Sequence, residues 1–190
     1  TFALVVVLGV YLALDPDTYR RGFVRLLPLH RRQLVDAALG DAGNKLYSWL
    51  VGQGMSMLGV GLMTMISLTL IGMPLALALG VIAALLDFIP FFGPIVAGLL
   101  AVVLAFASGP EMALKVAVAV IVIQQIEGNI LMPLVQRWAV SLPPVLGLLA
   151  VVIFGLLFGL PGVLLATPLM VVATALIGSL RWAIVLGIAW

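Results

Sequence analysis

Apolar runs of membrane-spanning length are the feature that most limits how this chain can fold. Residues 53–72, QGMSMLGVGLMTMISLTLIG, contain no charged side chain, and about twenty such residues cross the ~30 Å hydrocarbon core of a bilayer as an α-helix. Of the 190 residues, 65% are hydrophobic and 8% are charged, whereas soluble domains carry about 25% charged residues. The sequence therefore predicts an all-α, polytopic helical membrane protein in contact with the lipid bilayer.

Basic residues are concentrated near the start of the chain. Six of the nine Lys and Arg residues fall between Asp15 and Lys45, and positively charged loops favour the cytoplasmic side. We therefore expect a transmembrane helix over 1–14, followed by a cytoplasmic loop and an amphipathic helix over 15–50. That helix would lie on the membrane surface with Trp49 at the interface, or it would pack on a partner subunit. Nucleic-acid binding is not expected, because the basic run is short and mixed with acidic residues.

Short apolar runs separated by Pro and Gly predict broken helical hairpins. Two runs, 73–86 and 95–107, flank the stretch DFIPFFGP, and a run of about fourteen residues reaches only ~21 Å as a helix. Within 51–108 we therefore predict a transmembrane helix and a re-entrant hairpin, with two thin or tilted spans as the alternative. Residues 109–180 repeat this order, and their second pair of runs is broken at LPG, 160–162.

The two units have the same layout along the chain. Pro74 and Pro144 lie 70 residues apart, and Pro90 and Pro161 lie 71 apart. Because each unit would cross the membrane once net, the units would be inverted repeats, in which the broken segments of a transporter mark its substrate site. Apolar sequences rich in Gly and Pro also align by chance, so both interpretations stay open.

Polar side chains gather at the end of the long helix expected over residues 111–132. In the stretch QQIEGNILMP two pairs fall one helical turn apart: Gln124 with Glu127, and Gln125 with Asn129. A carboxylate at the bilayer centre costs about 2.5 to 3.5 kcal/mol on insertion scales, so Glu127 should face protein, water or substrate. One interpretation is a polar wall of a translocation path. The other is a helix end in cytoplasmic water, stopped by Pro133.

Asp87 is a second acidic residue among apolar runs. If the hairpin is re-entrant, Asp87 lies deep, beside the freed backbone groups of IPFFGP, and marks a functional site. If the hairpin spans the membrane, Asp87 lies at the surface and caps the turn.

Catalytic and metal-binding patterns are missing from the sequence. His30 is the only histidine, there is no cysteine, and no nucleophile motif or phosphate-binding glycine loop is found. We therefore expect neither an enzyme nor a bound cofactor or metal.

Three ordered motifs resemble the AI-2E family of bacterial membrane transporters. They are DPDTYRRGFVRLLP, GMPLALALGVIAALLDFIPFFGPIVAG and QQIEGNILMPLVQRWAVSLPPVLGLLAVVIFGLLFGLPGVLLATPL. Family members are longer, so the resemblance implies that this chain is the C-terminal part of a transporter domain in the bacterial inner (cytoplasmic) membrane. It implies export of small solutes, the namesake being the furanone-derived quorum-sensing signal autoinducer-2, whereas some relatives resemble sodium or lithium/proton antiporters. It also implies a homo-oligomer, with a pentamer as a candidate.

By motif position, the resemblance points to a set of pathway residues: Asp87, Pro90, Gly93, Pro94, Gln124, Gln125, Glu127, Asn129 and Pro133. Our primary hypothesis is an exporter of a small polar solute. The amide side chains of Gln124, Gln125 and Asn129 would contact the solute. The carboxyl groups of Asp87 and Glu127 would supply charge or take up a proton. One alternative is a Na⁺(Li⁺)/H⁺ antiporter that exchanges ions at the same carboxyl groups. Another is a non-transporting scaffold whose polar groups all pair within the protein and leave no solvated cavity.

Overall fold

The computed structural model describes residues 16–89, 92–136 and 144–185. Within these ranges every regular element is helical, as the sequence predicts. The chain divides into two compact units, Thr1–Asn44 with Val172–Trp190, and Lys45–Val171. The transmembrane helix expected over 1–14 and the pathway residue Pro90 lie outside the described residues.

The basic segment of the first unit folds into a short helix, α1 (Pro16–Arg25), and the beginning of α2 (Leu29–Ile71). Arg20 joins the two helices, because its Nε donates to Asp36 Oδ1 at 2.7 Å and its Nη2 donates to the Asp36 carbonyl at 2.9 Å. The hydrogen bond to Asp36 raises the pKa of the Arg20 guanidinium. Arg32 closes the intervening turn with bonds to the carbonyls of Leu27 and Arg25. These basic side chains therefore stabilise a local helix pair.

Helix α2 is continuous over 43 residues, a length of ~65 Å. The prediction of a separate amphipathic helix before the span 53–72 was therefore wrong. Gly52 and Gly54 do not break the helix, because an interior glycine costs only about 1 kcal/mol and no proline lies between residues 29 and 71. Among the described residues, three helices are long and apolar enough to cross a membrane: Arg32–Ile71, Pro110–Leu134 and Leu160–Gly178.

The first broken hairpin consists of α3 (Ala76–Leu86) and α4 (Phe92–Ala105), and a 3₁₀ turn follows at Phe106–Ser108. The two α-helices have 11 and 14 residues, or about 17 and 21 Å, and both are shorter than the ~30 Å hydrocarbon core. Gly93, in the first turn of α4, packs against the end of α3, where an added Cβ would collide with the Leu86 carbonyl. Only glycine allows the two helices to approach this closely.

Helix α5 (Pro110–Ile126) continues into a π-helical segment (Glu127–Leu131) and then α6 (Met132–Gln136). The second broken hairpin follows and consists of α7 (Pro144–Phe158) and α8 (Leu160–Val185). Gly159 makes its turn with a φ of 64°, a conformation that glycine adopts readily.

Small side chains fill the core of the second unit, and large apolar side chains cover its outside. Buried positions include Ala76, Ala101, Ala105 and Ala113 around Leu68, whereas Leu70 is 82% exposed and Leu156 is 84% exposed. Small residues at helix contacts and large apolar residues outside are typical of a protein whose solvent is lipid, since hydrocarbon gives no drive to bury leucine. The packing therefore agrees with a multi-pass membrane protein.

Trp49 packs against the turn that follows α3. Its side chain is buried, and its ring packs edge-to-face on Phe88 with 6.0 Å between the ring centroids. Trp49 therefore packs inside the protein and does not present its ring to lipid headgroups, because the turn after α3 brings an aromatic partner to this face of α2.

Candidate functional site

Buried polar side chains are few among the described residues. They are Gln53, Ser56, Thr64, Asp87, Glu127 and Thr167. Four of them meet where α2, the end of α3 and the π-helical segment come together, and we call these four the carboxyl cluster: Gln53, Ser56, Asp87 and Glu127. The cluster lies in the second unit, and its members come from three separate parts of the chain.

Asp87 is fixed in the cluster through its backbone and its side chain. It directly follows α3, and its N–H donates to the Ala83 carbonyl at 2.9 Å. Its own carbonyl accepts a 2.7 Å hydrogen bond from Gln53 Nε2, and its carboxyl group accepts one from the Ser56 hydroxyl. Gln53 and Ser56 lie one turn apart on α2 and so share a face. The side chain of Asp87 points into protein, with only 3% of the residue exposed.

Glu127 reaches Asp87 from the π-helical segment. It is the first residue of the π-helical segment and is 6% exposed. The two carboxyl groups lie within hydrogen-bonding reach of one another. Within the described part of the chain, no N–H or O–H group donates to Asp87 Oδ2 or to Glu127 Oε2. A buried carboxylate oxygen without a protein donor is costly, so these two oxygens are suited to bind a proton, a cation, water or a solute.

The surroundings of the cluster are almost free of charge. Between residues 46 and 136 the sequence contains one basic residue, Lys115. Its ammonium lies 2.7 Å from Glu111 Oε1 one turn away, on an exposed part of α5. The sequence of this region therefore supplies no second cation to neutralise the two buried carboxyl groups.

The π-helical segment explains how Pro133 fits inside a helix. Pro133 lies within α6, so the helix does not stop at this residue as one of the two interpretations of the sequence required. In a regular α-helix its ring would collide with the Asn129 carbonyl and its missing N–H would leave that carbonyl unpaired. The wider turn, in which the Met132 N–H bonds to the Glu127 carbonyl, relieves that conflict. Single π-helical turns inside α-helices occur frequently at functional sites.

The polar residues of QQIEGNILMP do not form a single wall. Asn129 donates to Gln125 Oε1 at 3.0 Å and to the Gln125 carbonyl at 2.8 Å, and both side chains are exposed. Glu127 instead points into the carboxyl cluster. Gln124 is half-buried and lines a cavity of ≈ 20 Å³ together with Thr64 and other residues. That volume is enough for about one water molecule.

Two larger grooves lie on the surface of the second unit. One, of ≈ 360 Å³, is lined by Pro94 and Gln124 among others, and another, of ≈ 550 Å³, runs beside Tyr47 and Leu134. Neither Asp87 nor Glu127 lines either of these grooves or the small cavity. Because Asp87 is 3% exposed and Glu127 is 6% exposed, the carboxyl cluster is closed to solvent in this conformation.

The predicted pathway residues thus divide into separate environments. Gly93 and Pro94 are buried at the beginning of α4, beside the end of α3 that carries Asp87. Pro133 is exposed. Gln53 and Ser56 were not among the predicted site residues. Their spacing was an available signal, since both are polar and lie on one face of an apolar helix.

Comparison with known proteins identifies the chain's relatives. A family model described as "AI-2E family transporter" matches residues 1–182. "Putative transport protein YrrI" of Bacillus subtilis (strain 168) is 31% identical over 166 residues, which cover 87% of this chain and 47% of the relative. "Putative permease PerM" of Escherichia coli (strain K12) is 31% identical over 177 residues, which cover 92% of this chain and 50% of the relative. The chain thus spans about half the length of these relatives. No solved structure shows significant similarity to it.

Proposed function

Because this chain belongs to the AI-2E transporter family, we propose that it forms part of an exporter of small polar solutes in the bacterial inner membrane. The carboxyl cluster is the observation that carries this proposal. A chain that places two carboxyl groups from separate helices in contact, among apolar spans, bears a large desolvation cost. Such intramembrane acidic residues mark substrate, ion or proton pathways.

The amide side chains supply the solute contacts in this proposal. A side-chain amide offers both donors and acceptors, which suits a hydroxylated molecule such as the furanone-derived signal autoinducer-2. Gln124 would meet solute from the side of the small cavity, and the pair Gln125 and Asn129 would meet it from the exposed face. The amides therefore stand on both sides of the helix that carries Glu127.

The first broken hairpin is the gate in this proposal. Asp87 lies at its tip, so a shift of α3 and α4 would separate Asp87 from Glu127 and open the closed cluster. Its contacts favour such a shift, because helices that touch through small residues present smooth surfaces. Gly80 of α3 packs closely against the Gly61 carbonyl of α2. A Cβ added to Gly80 would lie 2.9 Å from that carbonyl oxygen.

Efflux from proteoliposomes that contain the full-length protein and autoinducer-2 tests this function. We expect Asp87→Asn and Glu127→Gln each to lower the initial efflux rate by about tenfold or more, which is about 1.4 kcal/mol of barrier. Glu111→Gln is the matched control, since it removes an exposed carboxyl group from α5, and its rate should stay at the wild-type value. Wild-type rates in both cluster variants would remove these residues from the mechanism.

A Na⁺(Li⁺)/H⁺ antiporter is the second candidate function. The two carboxylate oxygens without donors favour it, because a hard monovalent cation prefers oxygen ligands. A pH-sensitive dye trapped in the same proteoliposomes separates the candidates. Proton movement driven by sodium in the absence of solute supports the antiporter, whereas solute efflux without it supports the exporter.

A non-transporting scaffold is the remaining alternative. It requires every cluster group to pair within the protein, and the two oxygens without donors argue against it. Cysteine introduced at positions 87, 90, 124 and 127 provides the test. Protection from an aqueous thiol reagent at all four positions would favour the scaffold, and labelling at any of them during turnover would favour a transport path.

We further propose that the full-length protein is a homo-oligomer, with a pentamer as the candidate number. The extensive exposed apolar surface of the second unit accommodates neighbouring copies as well as lipid. Native mass spectrometry of the detergent-extracted protein measures the number of copies directly.

A further inference from the structure

The contact between Asp87 and Glu127 requires a proton. Two ionised carboxylates have only acceptor oxygens, so two such groups within hydrogen-bonding reach repel unless something lies between them. Each group also has one buried oxygen without a donor in the described part of the chain. A single proton between the carboxyl groups neutralises one of the two negative charges. It also supplies a hydrogen-bond donor that the described protein groups do not supply.

The groups that face the pair from each packed element cannot replace that proton. From α2 they are the neutral side chains of Gln53 and Ser56, and the nearest cation along this helix is Lys45, eight residues before Gln53 or ~12 Å along the axis. Helix α4 contains no titratable residue. On α5 the basic residue is Lys115, twelve residues before Glu127 or ~18 Å away, and it is paired with Glu111.

We propose that Asp87 and Glu127 form a proton-binding site that holds one proton between their carboxyl groups. The pair carries one net negative charge with the proton bound and two with it released to water. Ser56 and Gln53 are positioning residues, since they hold the carboxyl group and the carbonyl of Asp87 toward Glu127. The site deepens the proposed function and rests on it for its role, because a hairpin shift that separates the carboxyl groups would couple proton release to transport.

Infrared spectroscopy of the purified full-length protein tests the site without any transport measurement. A protonated carboxyl group has a C=O stretch that is resolved from the carboxylate bands and shifts in D₂O. We expect the wild type at neutral pH to show such a band with the intensity of one carboxyl group per chain, and the band should disappear at alkaline pH. No band, or a band with the intensity of two groups, would overturn the proposal, and this result depends on no variant.

Single variants then test whether the proton is shared. In Asp87→Asn and in Glu127→Gln the new amide N–H donates to the remaining carboxylate, so we expect each variant to lose the band. Retention in either folded variant would show a carboxyl group protonated by burial alone and would overturn the sharing. Glu111→Gln should keep the band, and circular dichroism with a monodisperse elution profile establishes folding. If the band behaves as expected but efflux is unaffected, the proton site stands and the proposed transport path fails.

Discussion

The first broken hairpin, α3–α4, and the second, α7–α8, are each closed by a glycine that packs against a carbonyl of the preceding helix. An added Cβ on Gly93 would collide with the Leu86 carbonyl, and one on Gly162 would collide with the Phe154 carbonyl. The surroundings of the tips differ. The first tip buries Asp87 in the carboxyl cluster, whereas the second presents Phe158 with 62% of its surface exposed.

The two hairpins therefore share a backbone contact but differ in the side chains at their tips. The glycine contact allows two short helices to turn tightly, and the chain uses it twice. The acidic residue appears at one tip only, where α2 and the π-helical segment provide partners. Whether the two hairpins are inverted repeats remains a prediction, but the proposed site is asymmetric in either arrangement.

The largest expected effect tests the shared glycine contact. Gly93→Ala and Gly162→Ala should each lower the free energy of unfolding by about 3 kcal/mol, at the upper end for overpacked sites, because backbone carbonyls cannot move aside as a side chain can. Denaturant titration in mixed micelles measures this change. Gly54→Ala is the control, since an added Cβ there meets nothing within 4 Å. A neutral Gly162→Ala beside a damaging Gly93→Ala would break the equivalence of the two hairpins.

The next effect compares the aromatic residues at the tips. Phe88→Ala should lower the free energy of unfolding by about 2 kcal/mol, because Phe88 is part of an edge-to-face pair with buried Trp49 and its removal also loses packing contacts. Phe158→Ala should cost less than about 1 kcal/mol, since most of that ring is exposed and its partner is the stacked ring of Phe154. The same titration measures both variants. Equal losses of unfolding free energy in the two variants would show that Phe158 is also packed against other groups.

A smaller effect is expected inside the carboxyl cluster. Ser56→Ala should lower the free energy of unfolding by about 1 to 2 kcal/mol, because the buried Asp87 carboxyl group loses a donor. Ser67→Ala, farther along the same helix, should change stability by less than about 0.5 kcal/mol. Thermal unfolding of both variants side by side provides the measurement. No difference between them would mean that Ser56 does not hold Asp87.

The smallest effect concerns the exposed amide pair. Asn129→Ala should change the free energy of unfolding by no more than about 0.5 kcal/mol, the value of one side-chain pair on a helix surface. In the efflux assay it should raise KM and leave the maximal rate unchanged, as expected when an equal contact to solute and transition state is lost. An unchanged KM would remove the exposed face from the solute path.

The sequence by itself determined the class of protein and the positions of the chain breaks. The lengths of its apolar runs predicted membrane helices, because crossing a bilayer depends on a local count of residues. The hairpin breaks at IPFFGP and LPG followed from the backbone limits of Pro and Gly, which are also local. Local patterns were misleading at two places, because the amphipathic segment and the span 53–72 form one helix, α2, and Pro133 does not end its helix.

Only the tertiary structure decided which polar residues meet. Asp87 and Glu127 were identified from the sequence as separate acidic residues, but their contact with each other and with Gln53 and Ser56 depends on how three parts of the chain pack. The π-helical segment likewise places Glu127 inside while Gln125 and Asn129 stay exposed. Side-chain burial is set by neighbours distant in sequence, and the spacing within one helix does not contain that information.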